Sequence, residues 1–77
     1  MAMGWNPGRE KRVEIFIRAG LRGLLRDAKA GLAMPFEFRF DGFCAALEYA
    51  CYVGDISEET EKRVERLART IKKKYFA

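Results

Sequence analysis

Two cysteines, eleven carboxylates and no histidine are the raw material for chemistry in this 77-residue chain. Without an imidazole, a Ser–His or Cys–His nucleophile pair cannot be built, and acid–base work falls to carboxylates held in unlike environments. Asp41 and Asp55 stand where helix caps are needed. Glu48 is then the one acid in an apolar setting, and it reads as an edge residue or a partner-facing charge. No glycine-rich loop of P-loop type is present. Cys44 and Cys51 lie seven apart in a helical stretch. Two turns separate them by ~10.5 Å, beyond the ~7 Å within which a disulfide closes. They read as small core residues of a reducing compartment. With no Cys-x-x-Cys pair a zinc site is not expected either. The expectation is a non-enzymatic protein with no catalytic residues, no metal and no cofactor.

Basic residues offer more. Arg18, Arg22 and Arg26 follow one another at four-residue steps, with Lys29 in the same sector of a helical wheel. Such a ridge could track a phosphate backbone, with Lys72, Lys73 and Lys74 as a second basic spot. Its bland counterpart is a solvated helix face, and Glu14 stands at pairing distance from Arg18. The stretch Ala50-x-x-x-Gly54 before Ile56 and Ser57 faintly resembles a helix-turn-helix. A recognition helix starting there would push Glu58, Glu59 and Glu61 at the phosphates, which argues against it. The Gly20-Leu-Arg-Gly23 step lacks the strand and helix order that a KH loop needs.

Charge is uneven. Met1 to Gly31 carries seven basic and three acidic residues, Leu32 to Ile56 one and four, and Ser57 to Ala77 seven and four. Two basic flanks enclose a slightly acidic, apolar middle. Tyr, Trp and Arg are the types that dominate protein-binding hot spots, and Trp5, Tyr49, Tyr52, Tyr75 and Phe76 are aromatics that the apolar stripes do not all bury. Protein binding through Arg18, Arg22, Arg26, Glu48, Tyr49 and Tyr52 is therefore the leading expectation. Nucleic-acid binding through Arg18, Arg22, Arg26, Lys29 and Lys72 to Lys74 is the alternative.

The elements that must position these residues follow from periodicity. Asn6 and Pro7 open a first helix that reaches Gly31, with apolar residues at Val13, Phe16, Ile17, Leu21, Leu24 and Ala28. The β-branched run Val13–Ile17 could instead be a strand. Phe36-Glu-Phe-Arg-Phe40 alternates with strand period. We read it as an extended connector that plugs phenylalanines into the core, with a paired strand as the alternative. Asp41 then caps a second helix over Gly42 to Val53, with Phe43, Ala46, Leu47, Ala50 and Cys51 on one face and Tyr49 and Tyr52 opposite. A helix with so little polar surface is central or half of an interface, so a homodimer through it is expected. After a turn at Gly54–Ser57, capped by Asp55 or Ser57, a third helix runs from Glu58 to Tyr75 on Val64, Leu67, Ala68, Ile71 and Tyr75. The fold class is all-α: one domain over residues 1–77, a small three-helix bundle with an aromatic connector. An α+β fold with short strands at 13–17 and 36–40 is the alternative.

No apolar run reaches the ~20 residues of a membrane span, and the N-terminus lacks a signal-peptide apolar region. No membrane association and a cytoplasmic location are expected. The segments Ala46-Leu47-Glu48-Tyr49 and Gly54-Asp55-Ile56-Ser57-Glu58-Glu59 together resemble a helical hairpin of short proteins from phages and mobile elements. That resemblance implies a compact helical protein that binds host or phage machinery, including inhibitors of bacterial defence. It assigns no role to any residue.

Overall fold

The computed structural model describes residues 4–76. Helix α1 spans Pro7–Lys29, α2 Ala33–Tyr52 and α3 Glu58–Phe76. Each packs on the other two, giving an up-down-up three-helix bundle of 38 × 22 × 16 Å. Among the described residues there is no strand.

Helix α1 begins as its sequence dictates. The Asn6 side chain accepts from the Gly8 and Arg9 amides at 2.9 and 3.2 Å, and Pro7 takes the first position, where no amide is required. The strand reading of residues 13–17 is wrong: the apolar phase set at the cap carries through the β-branched run, and Ile17 is buried with Leu24 and Ala28. The helix stops slightly before Gly31. Gly31 lies at φ 72°, donating to Ala28 O, while Leu32 donates to Asp27 O, both at 3.0 Å. These are the two reversed bonds of a Schellman cap, which a glycine in the left-handed region allows.

The connector reading of Phe36–Phe40 is also wrong. These residues close the first turn of α2 and form its second, in a helix that starts nine residues earlier than the sequence suggested. Pro35 does not block it, because amides of the first turn have no intrahelical acceptor to lose. A period of two and a period of four coincide for Phe36 and Phe40. The buried Phe36 and half-buried Phe40 sit on one face, their rings 5.9 Å apart, while Phe38 is 77% exposed. Asp41 is accordingly inside α2 and caps nothing. Gly54, at φ 83°, closes α2 with a second Schellman cap: its amide donates to Cys51 O and that of Asp55 to Ala50 O.

Helix α3 is capped by Ser57, whose Oγ accepts from the Thr60 amide at 3.1 Å, and not by Asp55. Its core stripe keeps Val64 and Ala68, but Leu67 is half exposed at a rim. The core has two parts. Ile17, Leu47, Ile56 and Val64 pack near the α2–α3 turn, and Leu24, Ala28, Phe36 and Ala68 pack at the other end with Phe40 and Phe76 against them. Gly20 lets α1 and α2 approach here, since a Cβ on it would lie 2.4 Å from the Phe43 ring.

Candidate binding surfaces

One end of the bundle is a polar knot that ties α1 to the α2–α3 turn. Arg9 Nε donates to Asp55 Oδ1 at 2.9 Å and its NH2 to Val53 O at 2.7 Å, satisfying a carbonyl at the end of α2. The Asn6 amide donates to Gly54 O at 2.9 Å. Glu10 accepts from the Ser57 amide at 2.7 Å and the Thr60 hydroxyl at 3.0 Å. In a capping box the third helical residue reaches back to the amide of the cap residue. Here that residue is Thr60, and Glu10 of another helix supplies the missing carboxylate. Trp5 Nε1 donates to the same carboxylate at 2.8 Å, so its indole is anchored in this knot. Burial would raise the Glu10 pKa, but the hydrogen bonds from Ser57, Thr60 and Trp5 outweigh it and hold the carboxyl below its ordinary value.

The knot explains the fold of this end, and two other surfaces remain for binding. The first is the outer face of α2. At 100° per residue, Met34, Phe38, Ala45 and Tyr52 fall in one narrow sector. Gly42 and Tyr49 form its margin towards α1, and Asp41 and Glu48 its margin towards α3. Met34, Tyr49 and Tyr52 are 73%, 67% and 52% exposed, alongside the still more open Phe38. Asp41 and Glu48 are exposed and make no ion pair among the described residues. Next to the α1 margin, Val13, Phe16, Phe43, Ala46 and Ala50 line an apolar cleft of about 120 Å³, with Phe16 on its rim largely exposed. Glu48, Tyr49 and Tyr52 were expected on a binding face from the sequence. Met34 and Phe38 were missed, because the connector reading sent the phenylalanines inward.

The second surface is basic. Arg18 lines a cleft of about 400 Å³ between α1 and α3 with Trp5, Lys11, Glu14, Arg63 and Leu67 among its walls. It pairs loosely with Glu14 at 3.4 Å, as its four-residue spacing suggested. Arg22, Arg26 and Lys29 flank Leu25 further along α1. Lys11, Arg22, Arg26 and Lys29 are exposed and form no ion pair among the described residues. No residue of α2 lines either of these concavities, so the arginine ridge does not converge with Tyr49, Tyr52 and Glu48. The second basic spot is also divided. Lys72 binds Glu37 at 3.0 Å and lies over the Phe40 ring at 4.9 Å, leaving Lys73 and Lys74 to solvent. Sequence reasoning missed Lys11, which stands two turns before Arg18 on α1, and Arg63, whose approach to Arg18 is set only by how α3 lies on α1.

Cys44 and Cys51 are both free thiols. Burial, helped by Glu65 for Cys44 and by Glu61 for Cys51, raises both pKa values and disfavours the reactive thiolate. Among the described residues, no three His, Cys, Asp or Glu side chains group as a metal site would require, and no helix is long and apolar enough to cross a membrane. No protein-family model matches the chain, and comparison with curated proteins and with solved structures finds no match.

Proposed function

We propose that this chain is a non-enzymatic protein-binding module, an adaptor or inhibitor of the kind that phages and mobile elements direct at host machinery such as a defence system. The outer face of α2 carries this reading. Phe38, Tyr49, Tyr52 and Met34 stand exposed in one stripe on a helix whose other faces pack on α1 and α3. Scattered exposed apolar residues need no explanation, but large apolar side chains aligned along one face of a helix with a polar margin mark an interaction site. The resemblance of the α2–α3 hairpin to phage and mobile-element proteins supports the class of partner. Affinity capture from nuclease-treated bacterial lysate should retain a protein, and the double variant Phe38→Ser/Tyr49→Ser should lose it. Capture that disappears with nuclease, or that survives the double variant, overturns the reading.

A second reading keeps the α1 surface for nucleic acid, on the observation that Arg22, Arg26, Lys29 and Lys11 have no acidic partner among the described residues. It relies on Arg18, Arg22, Arg26 and Lys29 with Lys73 and Lys74, since Lys72 is engaged by Glu37. Affinity should fall steeply with salt and depend little on base sequence, and Arg18→Glu with Arg22→Glu should abolish it. The absence of any complex in a low-salt gel shift would end this reading.

A further inference from the structure

The stripe on α2 has an internal symmetry. Counted from Ala45, aromatic residues stand seven positions away on both sides, at Phe38 and Tyr52. Asp41 and Glu48 stand four before and three after, and Gly42 and Tyr49 three before and four after. A two-fold contact needs a surface that is complementary to itself. If a second α2 is laid antiparallel with Ala45 on the axis, Phe38 meets the other copy's Tyr52. Tyr49, on the margin towards α1, falls beside Gly42 of the other copy on the same margin. A large ring thus faces a residue without a side chain, twice. Gly42 has nothing within 4 Å of where a Cβ would be, so neither its fold nor its packing within one copy calls for a glycine. Ala45 and Gly42 at the centre allow close approach of the backbones, and the bulky residues stand at the ends.

We infer that the outer face of α2 is a self-docking surface, and that its occupant is a second copy of this chain packed antiparallel about Ala45. The inference rests on reading that face as a docking surface. The area is adequate. An aromatic side chain brings ~150–250 Å² to a contact, and three half- to three-quarter-exposed rings with Met34 and the small residues offer on the order of 600 Å² per copy. That meets the lower end of specific interfaces, which cover ~600–1,000 Å² on each side. The charges oppose but do not decide. Asp41 of one copy comes beside Glu48 of the other along the margin towards α3, a like-charge pair repeated by symmetry. Exposed pairs of this kind are weak, so the dimer tightens with added salt, the reverse of nucleic-acid binding. The basic cleft between α1 and α3 remains open on the far side of each copy in such a dimer.

Sedimentation equilibrium of the full chain tests this. The wild type should dimerise in the micromolar range, and Ala45→Glu, which puts two charges at the axis, should weaken the dimer at least tenfold. Gly42→Gln is the sharper variant. Replacing a helical glycine at an open position should leave the thermal midpoint unchanged or raised, yet the filled seat for Tyr49 should also cost at least tenfold in dimer affinity. Asp41→Asn with Glu48→Gln should tighten it by about fivefold or less. A wild-type chain that stays monomeric at millimolar concentration overturns the inference, as does a dimer indifferent to both Ala45→Glu and Gly42→Gln. If the monomer still captures a protein that Phe38→Ser/Tyr49→Ser loses, the docking surface stands and its occupant is a different chain. If neither self-association nor capture responds to these variants, both readings fall.

Discussion

Each end of the bundle holds half of the apolar core, but only the end at the α2–α3 turn adds a network of directional bonds to it. Around Asn6, Arg9 and Glu10 the helices are joined by directional bonds to Val53, Gly54, Asp55, Ser57 and Thr60. At the opposite end Leu24, Phe36 and Ala68 are fully buried, and Phe76 lies against Phe36 with ring centroids 4.9 Å apart. Two ion pairs accompany them, Lys72 to Glu37 at 3.0 Å and Arg39 Nε to Asp27 Oδ2 at 2.7 Å, with Arg39 filling the space beside Gly23. Apolar burial supplies bulk stability without specifying geometry, whereas the polar end specifies geometry with bonds worth about 1 kcal/mol each. The apolar core, whose largest buried ring is Phe36, should therefore decide whether the chain folds, and the polar knot where α3 begins and how it sits on α1.

The contrast is most severely tested at Phe36. Phe36→Ala should cost about 3–5 kcal/mol, a large share of the ~4–12 kcal/mol expected for a chain of this length. Chemical denaturation should show a midpoint moved far towards zero denaturant. A loss below about 1 kcal/mol would mean that the apolar core does not dominate. Arg39→Ala comes next, at about 2 kcal/mol, because Asp27 is left with its side chain 9% exposed and without its cation. Glu10→Gln should cost the least, about 1 kcal/mol, but it should change the pH dependence in a way the other two do not. The folded-state pKa of Glu10 is lowered from an ordinary value near 4.5. Its contribution is thus fully present above that value and is lost as the pH falls through the lowered one. The stability difference between wild type and Glu10→Gln should shrink on acidification through that window, and a constant difference would mean that the ionised carboxylate contributes nothing.

The same division shows which parts of the molecule were legible in the sequence. Whatever rests on neighbours in the chain could be read: the Asn6–Pro7 start, glycines ending two helices, and the stripe and dipole-matched ends of α3. Phe36–Phe40 misled because alternation was satisfied by a helix that buries two of its three rings and exposes the middle one. The Phe38 side chain then joined Tyr49 and Tyr52 on a face the sequence had only half revealed. The Glu10 clamp was invisible, since its partners lie 47 and 50 residues away and nothing local marks Glu10 among other first-turn acids. The arginine ridge was legible as a ridge. Its separation from the aromatic stripe was not, because that depends on which sides of α1 and α2 turn towards each other.

Glu10 also carries a consequence for the order of events on the ribosome. It is synthesised 47 residues before the amide it caps, an interval of roughly 2–9 s at ~5–20 residues per second. Throughout that time α1 has neither the α2–α3 turn to anchor Arg9 nor a third helix to cover Ile17 and Leu24. The nascent chain must pass through a stage in which its first helix is an uncovered amphipathic segment with a row of cations on its back. Exit-tunnel walls and chaperones meet that segment before α3 does.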